Sequence, residues 1–199
     1  LAHFAANHDF SAAEFFAGIP GTVGGALAMN AGCHGGETWQ YVTRVLMMNR
    51  QGECVLRSVD ECEIGYRHVQ PRFDANEIFV AAWFRFPRGE SGAARAHIQN
   101  LLARRIATQP LSLPNAGSVF RNPPGDHAAR LIEAAGLKGT WLGGAQVSEK
   151  HANFIVNPAG RATANEIEML INHIRLEVHK KFAVELVPEV RIIGINAVG

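Results

Sequence analysis

The apolar positions of the chain repeat with two different periods, and the change from one to the other falls near residue 90. Residues 42–48 (VTRVLMM) and 53–57 (ECVLR) are short strand-like runs. The Asn49-Arg50-Gln51-Gly52 sequence between them predicts a β-hairpin. Residues 77–86 (EIFVAAWFRF) are apolar on both faces, which predicts a strand at the centre of a sheet. The first half therefore reads as β-rich.

Pro87-Arg88-Gly89-Glu90-Ser91-Gly92 is a turn or linker signal, and a domain boundary there gives segments 1–88 and 89–199. Beyond it, Ala94, Ile98, Leu101 and Leu102 recur at helical spacing, with Arg95, Arg104 and Arg105 available to the outer face. Residues 109–125 contain Pro110, Pro114, Pro123 and Pro124 and cannot form one helix. Asp126 is placed to cap a short helix whose stripe is Ala128, Leu131, Ile132 and Ala135 and which Gly136 ends. Residues 154–156 read as a strand. Thr163 and Glu166 fit a capping box, and Ile167, Leu170, Ile171, Ile174 and Val178 then share one face of a helix ending near Phe182. Residues 184–193 alternate as a last strand, with Leu186, Val190 and Ile192 on one face and Glu185, Val187, Glu189 and Arg191 on the other. Pro188 interrupts that ladder and predicts an edge or a bulge.

Composition acts mainly by exclusion. With 47% hydrophobic and 19% charged residues the chain is neither disordered nor fibrous. A net charge of +1 provides no general field toward nucleic acid or an anionic membrane, so neither is an expected partner. Apolar runs such as residues 78–83 fall far short of the roughly 20 residues of a membrane span. Residues 1–16 contain acidic residues and lack the basic start of a secretory signal, which makes the cytoplasm the expected compartment. Cys33, Cys54 and Cys62 are odd in number and suit reduced thiols. The nine histidines show no metal-ligand spacing, so no metal is expected. Leu1 opens the chain at a point that reads as the middle of a domain, so a fragment of a longer protein is expected. Nothing in the pattern specifies an oligomeric state.

Candidate chemistry begins in residues 11–36, which contain seven glycines. Such density suits tight turns beside a ligand, and equally a structural loop packed on a sheet. Gly18-Ile19-Pro20-Gly21-Thr22-Val23-Gly24-Gly25 has neither P-loop nor Rossmann spacing, and Asn30-Ala31-Gly32 extends the same stretch. Ser118 lies on a proline-bounded loop with no triad partner near it in sequence, so it reads as a nucleophile less readily than as a turn residue. Arg67 and Glu189, taken alone, read equally as surface charges.

Six strings decide between these readings: GIPGTVGGALAMNAGCHGGE (18–37), Tyr66-Arg67, GSVFRNP (117–123), AGLKG (135–139), GGAQVSEKHANFIVN (143–157) and PEVRIIG (188–194). In order and spacing they closely resemble the MurB family, the UDP-N-acetylenolpyruvoylglucosamine reductases, in its shorter second type. The resemblance implies an α+β fold, with the C-terminal part of a MurB-like FAD-binding domain at 1–88 and an α+β UDP-sugar-binding domain at 89–199. It also implies an NADPH-using flavoenzyme of peptidoglycan precursor synthesis that reduces the enolpyruvyl ether of a UDP-sugar.

By motif position, Ser118 is then the acid that protonates the substrate carbon, while Arg67 and Glu189 stabilise the enolate-like intermediate. Gly18, Ile19, Pro20, Gly21, Thr22, Gly24, Gly25, Asn30, Ala31 and Gly32 match the FAD-contacting stretch. Tyr66, Asn122 and Lys138 match substrate-contacting positions. The chain departs from the family at Val69, where a serine is usual, and at Cys33-His34, where Ala-Tyr is commoner. The family's upstream domain, which holds part of the FAD diphosphate, has no counterpart here, and weak FAD binding and weak or absent turnover are the expectation. The alternatives are a non-catalytic UDP-sugar-binding fragment and a sugar or alcohol oxidase of the same FAD-binding superfamily.

Overall fold

The computed structural model describes residues 1–72 and 76–194, and the chain divides into two units, Leu1–Arg105 and Ile106–Gly199. The division falls inside the helix that the sequence places after the linker. Across both units helices and strands are mixed, an α+β architecture.

In the first unit, α1 (Ala2–Asn7) precedes α2 (Val23–Ala28), and β1 (Gly32–Cys33) and β2 (Gly36–Glu37) form a small hairpin. The expected hairpin is present as β3 (Val42–Met48) and β4 (Cys54–Ser58). Asn49 closes it, its Oδ1 accepting from the Gln51 and Glu53 amides at 3.0 and 2.9 Å. A second hairpin, β5 (Cys62–Gly65) and β6 (His68–Pro71), was not legible in the pattern. The apolar run forms β7 (Ile78–Phe84), but the strand order is β4-β3-β7.

The expectation of a central β7 is therefore wrong: β3 is central, and β7 has only β3 as a neighbour among the described residues. The reason is visible in the side chains. Phe79, Ala82 and Phe84 pack on the core of Leu27, Trp39, Val45 and Met47, while Ile78 and Val80 are more than half exposed and Trp83 is covered by the Arg44 guanidinium at 4.5 Å. The Arg57 guanidinium binds Glu77 through two contacts, at 2.6 and 3.2 Å, and Glu61 at 3.1 Å. This bidentate pairing raises the already high Arg57 pKa. The long helix α3 (Ala93–Thr108) begins as the sequence predicts and buries Ala94 and Ile98 against Ala2, Ala6 and Ala17.

The second unit holds α4 (Ala128–Ala134), the strands β8 (Trp141–Leu142), β9 (Ala145–Val147) and β10 (Ile155–Val156) in the order β10-β9-β8, and α5 (Ala164–Phe182). Its core joins Phe120, Leu131, Ile132, Val147, Leu170, Ile174, Val178 and Leu186. The capping box forms as expected: the Glu166 amide donates to Thr163 Oγ1 at 3.2 Å, and the Thr163 amide donates to Glu166 Oε2 at 2.8 Å. The same carboxylate accepts from Gly144 in the β8–β9 turn, and these amide bonds hold its pKa below the ordinary range.

Two expectations are corrected here. Asp126 does not cap α4; His127 is the N-cap residue, and Asp126 instead binds the Arg130 guanidinium and the His127 amide. The Arg130 pairing, with that amide second, lowers the Asp126 pKa to about 2. Residues 184–193 are not a strand. They contribute a single antiparallel bridge, Phe120 to Pro188; beyond it the Glu189 and Val190 amides both turn to the one Val119 carbonyl, and the regular ladder goes no further. No helix among the described residues is long and apolar enough to cross a membrane.

Candidate active site

In the first unit, the glycine-rich stretch runs from the loop 18–21 into α2. Ile19 is half-buried, with Gly18, Pro20 and Gly21 exposed around it. Thr22 caps the helix by accepting from the Gly25 amide at 3.1 Å, and Gly24 and Gly25 lie in the first turn. A Cβ at Gly21 would meet nothing within 4 Å, and at Gly24 only Thr22 Oγ1 at 3.8 Å. At these two glycines the main chain faces open space, so a ligand can approach it closely.

Downstream, the stretch turns inward and is held tightly. Asn30 is 2% exposed. Its Nδ2 donates to Glu37 and to the Gly65 carbonyl at 3.0 and 3.1 Å, and its Oδ1 accepts from the Trp39 amide at 3.1 Å. Both of its N–H donors and its oxygen are thus engaged, so Asn30 orders the loop from within. The Ala31 carbonyl accepts from Thr38 Oγ1 at 2.7 Å.

Tyr66 and Arg67 form the turn between β5 and β6, with Arg67 at a φ of 55°. The Arg67 guanidinium lies 4.9 Å over the Tyr66 ring, donates to the Gly32 carbonyl at 2.8 Å and reaches the Asn30 carbonyl at 3.4 Å. The fork of two N–H groups thereby ties one hairpin turn to the glycine-rich stretch. The structure thus brings Asn30, Gly32, Tyr66 and Arg67 together.

In the second unit, Ser118 and Glu189 belong to segments far apart in sequence but paired in space. The Glu189 amide donates to the Val119 carbonyl at 2.8 Å, and the Arg121 amide donates to the Val187 carbonyl at 2.9 Å. Pro188 sits opposite Phe120 between those two bonds, where the register requires no N–H from it. The other side of the Ser118 loop is held by Asn153. The Phe120 amide donates to Asn153 Oδ1 at 3.0 Å, Asn153 Nδ2 donates to the Phe120 carbonyl at 2.8 Å, and the Val119 amide donates to the Asn153 carbonyl at 2.9 Å. Sequence reasoning did not single out Asn153, which reads as one more polar loop residue.

Asn122 accepts from the Ala128 amide at 3.1 Å through Oδ1 and so satisfies the first turn of α4. Lys138 pairs with Glu133 at 3.1 Å. His151, half-buried, accepts the Asn153 amide on Nδ1 at 3.3 Å; burial first, and the Lys138 charge second, lower its pKa.

A separate cavity of about 630 Å³ in this unit has apolar walls, including Val119, Ile155, Ile167, Ile171 and Val190. None of the candidate residues Ser118, Asn122, Lys138 and Glu189 lines it. Among the described residues no group of three His, Cys, Asp or Glu side chains is arranged to hold a metal ion.

Comparison with known proteins bears on this geometry. A sequence model described as "UDP-N-acetylenolpyruvoylglucosamine reductase, C-terminal domain" matches residues 109–193. The chain is 57% identical over 194 residues to a UDP-N-acetylenolpyruvoylglucosamine reductase of Thiobacillus denitrificans, covering 98% of this chain and 60% of that protein. It is 58% identical over 194 residues to one from Methylococcus capsulatus, covering 98% and 63%. The crystal structure of UDP-N-acetylenolpyruvylglucosamine reductase (MurB) from Thermus caldophilus matches with a TM-score of 0.79 at 31% identity, covering 93% of this chain and 66% of that one. The chain thus spans about three fifths of the length of the curated relatives it matches. On these matches the chain belongs to the UDP-N-acetylenolpyruvoylglucosamine reductase (MurB) family.

Proposed function

We propose that the chain serves an NADPH-using, FAD-dependent reduction of the enolpyruvyl ether of UDP-N-acetylglucosamine to the lactyl ether of UDP-N-acetylmuramate. In this reading residues 1–88 contribute to FAD binding and residues 89–199 bind the UDP-sugar, in the cytoplasm. The observation that carries it is the pairing of the Gly117–Pro123 motif with the Pro188–Glu189 motif, 2.8 Å from the Glu189 amide to the Val119 carbonyl. A family resemblance spread over distant strings becomes one local arrangement.

The residues present fit a flavin. Open space over Gly21 and Gly24 leaves main chain to face a planar or anionic group. FAD, when bound, supplies a hydride to the methylene carbon of the enolpyruvyl group. Negative charge then spreads toward the substrate carboxylate, and the adjacent carbon must gain a proton. Ser118 Oγ–H donates that proton. Arg67 offers a fixed positive charge and a fork matched to a carboxylate. Glu189 hydrogen-bonds the developing charge if it carries a proton at that moment. Tyr66, Asn122 and Lys138 contribute to substrate binding.

The experiment is NADPH consumption by the FAD-loaded full-length protein with the enolpyruvyl UDP-sugar, followed by mass analysis of the product. Substrate-dependent consumption and a product heavier by two hydrogens support the reading. Flavin reduction without substrate turnover contradicts it. Oxygen consumption with simple sugars would revive the oxidase alternative, which the named reductases among the relatives do not favour.

A further inference from the structure

The segment Val119–Arg121 is a β-like stretch that, among the described residues, has a β-bridge on one side only, to Pro188. Toward residues 187–190 its peptide groups are satisfied by main chain. On the other side no strand among the described residues pairs with it, yet the Phe120 N–H and C=O face that way, and Phe120 is 1% exposed. Buried peptide groups without partners are costly. The side chain of Asn153, 4% exposed, fills the role of the absent strand. A primary amide carries an acceptor and a donor side by side, as a peptide does. Its Oδ1 and Nδ2 meet the two polar groups of Phe120 at 3.0 and 2.8 Å.

Asn153 is itself held. Its amide donates to His151 Nδ1 at 3.3 Å, and Ser148 Oγ accepts from the Lys150 and His151 amides at 3.1 and 3.3 Å. Three hydrogen bonds therefore run from Asn153 to the two residues that follow Ser118, and Val119 is the residue that accepts from Glu189.

We infer that Asn153 is a positioning residue for the reduction proposed above: its side-chain amide fixes the Ser118 loop in register with the Glu189 segment. The inference rests on that functional reading. A carboxylate at this position would keep the acceptor but present an anion to the Phe120 carbonyl. A neutral carboxyl group would restore the donor.

The test uses the FAD-loaded full-length protein in anaerobic stopped-flow, with Asn153→Asp and Asn153→Leu. Flavin reduction by NADPH should stay within about twofold of the unmodified protein, and reoxidation by the enolpyruvyl UDP-sugar should slow by about tenfold or more. In Asn153→Asp the reoxidation rate, taken relative to that of the unmodified protein at the same pH, should recover as the pH is lowered. Hydrogen exchange at the Phe120 amide should accelerate in Asn153→Leu while that at Leu170 and Ile174 in α5 does not. Unchanged reoxidation in both variants overturns the inference. So does a parallel loss of both half-reactions and of flavin, which would mark a purely structural role. If the unmodified protein also fails to reoxidise with this substrate, the functional reading falls, and the inference with it.

Discussion

The Glu189 main-chain N–H donates to the Val119 carbonyl across 2.8 Å, so the residue proposed to stabilise the intermediate is locked to the residue next to the proposed acid. Neither side chain needs to find the other by chance. The register is set by backbone hydrogen bonds on both sides of Phe120, one side from main chain and the other from Asn153. Pre-set geometry of this kind is worth more to a reaction than an added contact.

Gly24 separates a folding role from a binding role. Its added Cβ would meet only Thr22 Oγ1, at 3.8 Å, and alanine is the better helix former by about 1 kcal/mol. Gly24→Ala should therefore fold at least as stably as the unmodified chain in thermal melts. If FAD lies against this main chain, the same variant should bind FAD more weakly in a fluorescence titration.

Gly144 makes the opposite case. A Cβ there would lie 2.6 Å from the Ala162 amide nitrogen and 2.8 Å from its Cα, and backbone cannot step aside as a side chain can. Gly144→Ala should lose about 1–3 kcal/mol in chemical denaturation. The loss should include disturbance of the Glu166 carboxylate that the Gly144 amide also binds.

His151 gives a pH signature with a definite sign. Burial, and behind it the Lys138 charge, place its pKa below 6.5 in the folded protein. As the pH falls below 6.5, the unfolded chain takes up a proton that the folded chain refuses, so stability drops until the folded pKa is passed. The contribution is fully present above 6.5. Denaturation midpoints across this range should fall less steeply for His151→Asn, and NMR titration of the His151 ring should show the lowered pKa directly.

The elements legible in the sequence are those written by local chemistry. Thr163 and Glu166 announce α5 because a capping box needs only four consecutive residues, and Asn49 to Gly52 announce the β3–β4 hairpin in the same way. The errors arise where partners lie far along the chain. Residues 78–84 look central because apolar residues occupy both faces, but Arg44 covers Trp83 in place of a second sheet layer. Residues 184–193 alternate like a strand, yet they pair through one bridge, because the Glu189 and Val190 amides converge on the single Val119 carbonyl. In the candidate site, Arg67, Ser118 and Glu189 stand out through motif resemblance. Asn153 does not, since its meaning depends on Phe120, which its own sequence neighbourhood does not show.

The most direct test of the central claim is Ser118→Ala in the FAD-loaded full-length protein, with the two half-reactions measured separately under anaerobic conditions. Flavin reduction by NADPH should be retained, and reoxidation by the enolpyruvyl UDP-sugar should fall by about 10²–10⁴-fold, the contribution expected of a positioned acid. Reoxidation at the unmodified rate would contradict the assignment of Ser118 and the mechanism built on it.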